Sequence, residues 1–239
     1  MSALTRWMDG AWYPEHGRNW DDELFRERVL AVLTPESRVL DLGAGAGIVE
    51  QMNFRGIARR VCGVDFDSRV VSNPFLDEGR MANAEAIPYE DREFDVVFAD
   101  NVLEHLQAPL TVFKEVARVL APGGVFLFKT PNKWHYMPTI ARLTPHGFHR
   151  YVNRLRGRAE VDTFPTRYRA NSKGAINHLA KESGLLVEAL ETVEGRPEYL
   201  RMNALTYFIG AGYERLVNST ERLALLRILL VGALRKPKS

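Results

Sequence analysis

Two acids and a set of closely spaced glycines carry the chemistry that is most directly legible in this chain. The run Val39-Leu40-Asp41-Leu42-Gly43-Ala44-Gly45-Ala46-Gly47 reads as a buried strand that breaks into a glycine-rich turn and then a helix. Glycines at such spacing let backbone approach a ligand where a Cβ would clash. A second acid ends another apolar run, Val61-Cys62-Gly63-Val64-Asp65. In nucleoside-binding α/β sheets an acid at that place accepts from ribose hydroxyls. Asp65 is therefore the expected bidentate ribose acceptor, and Phe66 the ring expected against the base.

Charge decides which nucleoside. A dinucleotide site uses G-x-G-x-x-G and aims a helix N-terminus at pyrophosphate. This loop is G-A-G-A-G, with Asp41 just ahead of it. That carboxylate repels phosphate and suits a ligand bearing an ammonium and a sulfonium. S-adenosylmethionine has both and no phosphate, so it is the expected cofactor. Asp41 would face its ammonium end, with the backbone of Gly43, Ala44, Gly45 and Gly47 lying close to it.

On these residues the chain resembles the class I S-adenosylmethionine-dependent methyltransferases, and is similar to their small-molecule and quinone-biosynthesis subgroup. The matching stretches are Asp41 to Gly47, Val64-Asp65, Asn83-Ala84-Glu85-Ala86-Ile87-Pro88, and Phe94-Asp95-Val96-Val97 running into Leu103-Glu104-His105-Leu106. Arg118-Val119-Leu120-Ala121-Pro122-Gly123-Gly124 is a further, structural match. The likeness covers residues 37 to 131 and reaches the C-terminal third only loosely. It implies an enzyme. It implies that Asn83, at a position often occupied by Asp, accepts from the adenine amino group while the Ala84 N–H donates to the ring. It also implies that Asp100 and Asn101 contact the methionine portion. A plain turn is the other reading of Asn83, Asp100 and Asn101, and core packing the other reading of Ile87.

Methyl transfer to oxygen needs a group that takes the acceptor's proton or steadies the developing oxyanion. His105, beside Glu104, and His135 are the expected catalytic residues; structural histidines are the alternative. His146, His149 and Asp162 lack the spacing of a metal set, and no metal is expected. Arg150, Arg154, Arg156, Arg158, Arg167 and Arg169 form a basic run that suits a phosphate- or carboxylate-bearing substrate, a membrane surface, or simply a solvated face. A net charge of +2 does not mark a nucleic-acid binder. Cys62 is in the second strand, not in a Pro-Cys pair after the fourth, and Asn73-Pro74-Phe75 lacks the second proline of a base-amino methylase. The expected reaction is methyl transfer to an oxygen of a small-molecule, glycan or lipid-linked acceptor. Carbon methylation of a quinone-like lipid and a non-catalytic nucleoside-binding or scaffolding protein are the alternatives.

The elements that must position these residues alternate. Strands are expected over 38–42, 60–64, 94–99, 125–130, 185–192 and 227–234, and helices over 21–33, 48–57, 110–120 and 172–183, with a short helix at 68–72 and a loop over 73–80. The alternation implies an α/β fold, a mostly parallel sheet with helices on both faces; the family likeness makes it a Rossmann-like seven-stranded sheet, one strand more than these six, with a cap-like insertion after the fifth strand. The family likeness implies an antiparallel last strand between the fifth and sixth. The 239 residues read as a single domain, with an N-terminal lid or helix (1–36), a donor-binding core (37–131) and substrate-cap segments (132–170 and 195–226). A lone cysteine, no basic-then-apolar leader, and an apolar stretch from Leu223 to Leu234 that is short and contains Arg227 make a cytoplasmic protein the expectation.

Overall fold

The structure is a computed structural model and describes residues 3–17, 19–143 and 165–238. The chain divides into two compact units. The larger holds Asn19–Thr130, Tyr168–Glu191 and Leu230–Ser239; the smaller holds Met1–Arg18, Pro131–Arg167 and Thr192–Leu229.

The larger unit is organised by a seven-stranded sheet of order β3-β2-β1-β4-β5-β7-β6. Its strands are β1 (Arg38–Leu42), β2 (Arg60–Asp65), β3 (Glu78–Met81), β4 (Phe94–Asp100), β5 (Leu120–Pro131), β6 (Leu186–Val193) and β7 (Leu229–Arg235). β1 pairs in parallel with β2 and β4, β2 with β3, and β4 with β5. β7 runs antiparallel beside β5: the Gly123 N–H donates to the Lys236 carbonyl and the Asn132 N–H to that of Ile228. It lies between β5 and β6, as the family likeness implies. The central strands read as unbroken apolar runs because both faces are covered. Val39, Leu40, Val97, Phe98, Phe126 and Phe128 are all buried.

Helices α2 (Trp20–Leu30), α3 (Pro109–Val119) and α5 (Lys173–Ser183) belong to this unit. Pro109 opens α3, where its missing N–H costs nothing, and Val112, Phe113, Val116 and Val119 turn inward. Ser172 caps α5 by accepting from the Ala175 N–H, and Gly184 ends it at φ +75°. Ile176, Leu179 and Ala180 of α5 join Phe113, Val116 and Phe126 in one core.

Two expectations fail here. The stretch 48–57 is not a helix but a single 3-10 turn, Glu50–Met52. The guanidinium of Arg26 donates to the carbonyls of Gln51 (2.5 Å) and Asn53 (2.8 Å), taking acceptors that a helix would use. Phe54 then folds inward and is fully buried. The stretch 73–80 is not all loop, because β3 begins at Glu78. β3 is an edge strand with charged residues and no apolar alternation, so its pairing rests on backbone bonds to β2.

The smaller unit contains α1 (Ala3–Trp12), α4 (Tyr136–Leu143) and α6 (Ala204–Asn218). The aromatic N-terminus is a helix whose Met8, with Tyr13, packs on Tyr207 and Ala211. The Tyr207 hydroxyl donates to Asp9 (2.8 Å) and the Tyr13 hydroxyl to Glu214 (2.9 Å). Asn203 and Thr206 form a reciprocal capping box at the start of α6.

The adjacency of β5 and β7 yields a test. A Cβ on Gly232 would come within 2.3 Å of Cζ of Phe128, a ring fixed in the core. Gly232→Ala is expected to cost about 1–3 kcal/mol of stability, the scale of an overpacked core. Urea unfolding reads this as a lowered midpoint; an unchanged midpoint means that the ring does not pack on this glycine.

Candidate active site

The carboxyl ends of β1, β2 and β4 bring the conspicuous residues of the sequence together. After Leu42 the chain turns through Gly43, Gly45 and Gly47, at φ +85°, +51° and +70°. Side chains other than glycine rarely adopt that backbone. The turn is anchored from two sides. The Gly43 N–H donates to the Val64 carbonyl (2.7 Å), and the Gly45 N–H donates to Oδ2 of Asp65 (2.9 Å). Asn73 donates from Nδ2 to the Ala44 carbonyl (2.9 Å) and closes the far side.

Asp65 also accepts the Asp67 N–H at Oδ1 (2.8 Å). Both oxygens are thereby oriented by backbone, and each keeps a second lone pair. A carboxylate fixed in this way can still accept a pair of vicinal hydroxyls. Phe66, next to it, is exposed.

Asp41 is buried, and burial together with Asp100 and Asp65 drives its carboxyl well above the ordinary range. Asp100 is pushed up to about 7, first by burial, although the Lys129 ammonium 3.0 Å away pulls it down. A cation placed among these acids would restore their charged forms. Asn101, in the left-handed region at φ +53°, donates from Nδ2 to Asp100 Oδ1 (2.9 Å) and from its backbone to the Lys129 carbonyl (2.8 Å).

Lys129 was not singled out by the sequence reading, and neither were Asp21 and Asp22. Its ammonium is fully buried on β5 and pairs with Asp21 (2.9 Å), Asp22 and Asp100. The acids hold its pKa above the ordinary lysine value against the opposing effect of burial. The signal was present: a lysine within Val125-Phe126-Leu127-Phe128-Lys129-Thr130, a run that otherwise reads as fully buried strand, demands an anionic partner.

The turn Leu103–His105 follows β4 directly. Its neighbour Val102 fills the space over Gly43, where a Cβ would meet Cγ2 at 2.3 Å. The segment bearing His105 therefore packs on the glycine turn. Glu104 is buried, accepts the Thr130 hydroxyl (2.9 Å), and has its carboxyl raised by burial. Asn171 donates to the same Thr130 oxygen (2.7 Å). Nε2 of the partly exposed His105 lies 3.8 Å from Oε1 of Glu104.

Other expected residues sit differently. The Asn83 side-chain oxygen accepts the Glu85 N–H (3.0 Å) and its carbonyl the Ala86 N–H (2.9 Å), so Asn83 builds a turn. Ala84 packs on the core, and Ile87 is a core residue whose N–H donates to Glu115 (2.9 Å). His135 belongs to the smaller unit, where it is buried against Tyr136 and Tyr213. Its Nδ1 accepts the Met137 N–H, Glu194 lies 3.7 Å from Nε2, and burial lowers its pKa to about 3. These are the surroundings of a neutral, packed imidazole rather than of a base open to an acceptor. Arg169 donates to the Gln107 carbonyl (2.7 Å). His146, His149, Asp162, Arg150, Arg154, Arg156 and Arg158 lie outside the described residues. Among the described residues no cluster of metal-binding side chains occurs.

Known proteins resemble this chain in sequence and in fold. Residues 40–128 match a family described as a methyltransferase domain. A probable S-adenosylmethionine-dependent methyltransferase of Mycolicibacterium smegmatis is 38% identical over 105 residues, 42% of this chain and 40% of that protein. The match thus spans less than half of that relative. A ubiquinone biosynthesis O-methyltransferase of Thiobacillus denitrificans is 27% identical over 177 residues, 67% of this chain and 69% of that one. Among solved structures, a putative sarcosine dimethylglycine methyltransferase from Galdieria sulphuraria superposes with a TM-score of 0.56 at 20% identity, covering 91% of this chain and 86% of that one. That likeness is one of fold.

Two measurements test the site. Asp65→Ala is expected to weaken S-adenosylmethionine binding by roughly 1–3 kcal/mol, the scale of lost charge-assisted hydrogen bonds. Unchanged affinity by calorimetry would remove Asp65 from the site. The second concerns pH. Asp100 keeps its proton up to about 7 when folded, whereas an unfolded aspartate releases it near the ordinary value. Without ligand, its contribution to stability therefore falls as pH rises between those values. A bound cation favours the ionised carboxylate, so donor affinity is expected to rise as pH rises through about 7. S-adenosylhomocysteine, which has no sulfonium charge, should follow pH less steeply. Parallel slopes for the two ligands would mean that the acids do not sense the sulfonium.

Proposed function

We propose that this chain is a class I S-adenosylmethionine-dependent methyltransferase that takes S-adenosylmethionine as its cofactor and delivers the methyl group to an oxygen of a small-molecule, glycan or lipid-linked acceptor. The observation that carries the oxygen assignment is His105. It is partly exposed, backed by buried Glu104, and held on a turn that packs against the glycine loop through Val102.

In this reading Asp65 accepts from the two ribose hydroxyls. The backbone from Gly43 through Ala44 and Gly45 to Gly47 lies along the donor, and Asp41 faces its ammonium end. Asp100, steadied by Asn101 and Lys129, faces the methionine portion. Phe66 covers the adenine. The turn built by Asn83 presents the Ala84 N–H to the ring, and the Asn83 oxygen, which accepts one backbone bond, keeps a second lone pair for the adenine amino group. When bound, the cofactor supplies a methyl group already activated on sulfur. What remains for the protein is alignment and a proton acceptor. His105 takes the proton of the acceptor hydroxyl as the O–C bond forms and the S–C bond breaks. The carboxylates that attract the cationic donor have less hold on the neutral sulfide left behind, which favours its release.

The named function of the ubiquinone-biosynthesis relative agrees with an oxygen acceptor. Incubation with methyl-labelled donor and fractionated cell extract, followed by identification of the labelled product, would name the acceptor. His105→Ala is expected to leave donor affinity unchanged and to lower kcat by about 10²–10⁴, the usual worth of a general base. Full kcat in that variant would exclude His105 as the base.

A further inference from the structure

Helix α6 is apolar on both sides. Tyr207, Gly210, Ala211 and Val217 turn into the smaller unit, as a helix packed on one face requires. The opposite arc is apolar as well. Leu205, Phe208, Ile209 and Leu216 are 71%, 55%, 60% and 58% exposed, and Gly212 lies among them at the same helical spacing. α1 repeats the pattern: Leu4, Trp7 and Ala11 share one exposed arc, with Trp7 64% exposed. The helices are neighbours: the Trp12 ring meets Phe208 edge-on at 5.1 Å. An outward face of this kind on adjacent helices marks an interaction surface.

Its charges show which kind. The two helices carry two acids, and both are engaged within the unit. Asp9 accepts from Tyr207 and pairs with Arg201; Glu214 accepts from Tyr13 and from Asn218. The basic residues on the two helices are arginines. Arg6 is exposed beside Trp7, and exposed Arg215 holds its guanidinium 5.1 Å from the centre of the Trp12 ring. A second copy meeting this face by two-fold symmetry would set the cationic rims against each other. Leucine, isoleucine, phenylalanine and tryptophan outward, with arginine at the edge, is instead the chemistry of a helix lying in a lipid headgroup layer.

We propose that the outward arcs of α1 and α6 dock the protein on an anionic lipid bilayer surface, lying in the interface without crossing it. No described helix is long and apolar enough to span a membrane, which accords with this mode. The surface is independent of the acceptor assigned above.

Flotation of the full chain with vesicles tests it. Wild-type protein should float with vesicles of phosphatidylcholine mixed with phosphatidylglycerol, float less with pure phosphatidylcholine, and lose part of its binding at high salt. Leu205→Glu with Ile209→Glu should cut the bound fraction by about tenfold or more, because two charges then enter the apolar layer. Arg215→Glu should weaken binding to the anionic vesicles alone. Val71→Glu, at an exposed residue of the larger unit, should change nothing. Donor binding by calorimetry confirms that each variant is folded, and Arg215→Glu carries the test if the double variant is not. Wild-type protein that ignores anionic vesicles overturns the proposal, as does a double variant that floats like wild type. A dimer seen by light scattering and dissolved by the double substitution, without vesicle binding, would give the face to a second copy instead.

Discussion

At the carboxyl end of this sheet, acidic side chains are gathered so closely, and buried so deeply, that proton release is held back at Asp41 and Asp100. Asp41, Asp65 and Asp100 come from β1, β2 and β4, while Asp21 and Asp22 reach in from the start of α2. One buried ammonium, that of Lys129, pairs with Asp21, Asp22 and Asp100. Losing one partner of such a buried set leaves charge without compensation, at about 3–5 kcal/mol. Much of the remaining architecture follows from containing that crowd. Parallel strands ending together bring the acids to one place, Asn101 adopts a left-handed backbone that lets its amide reach Asp100, and α2 is tied to the strand ends through its first turn. Acids that a bound cation returns to their charged forms make the place suitable for a cation and unsuitable for a phosphate.

How much of this was legible depended on whether an element announces itself through its own side chains. β1, β2, β4 and β5 are buried on both faces and so are written as apolar runs. α3 and α5 carry a proline or serine at the start, and α5 a glycine at the end, with apolar residues at helical spacing between. β3 has no such signature, because an edge strand is defined by the backbone of its neighbour. The stretch 48–57 misleads for a related reason: its fate is decided by Arg26, which is distant in sequence and claims two of its carbonyls.

The site divides along the same line. Asp41, the three glycines and Asp65 are local in sequence and stand where their spacing placed them. Lys129 with Asp21 and Asp22 is a long-range assembly: the lysine in an apolar strand calls for an anionic partner, and nothing local says which acids answer. His105 and His135 are equally visible in sequence, yet only burial tells them apart. His135 sits among tyrosine rings as a neutral imidazole, and His105 stands partly open on the turn after β4. Asn83 has a second task that position-by-position likeness does not show, since its amide oxygen also holds its own turn.

The single 3-10 turn that stands where a helix was expected after the glycine loop has its own consequence. A full helix there would direct the positive end of its dipole, about half an elementary charge, at whatever lies over the glycines. A turn of three residues, Glu50–Met52, has no such axis to sum along. The loop thus keeps the shape of a nucleotide cradle while lacking the field that usually draws in polyphosphates. Without that field, one of the attractions that a helix N-terminus offers to ATP and dinucleotides is absent over the glycines.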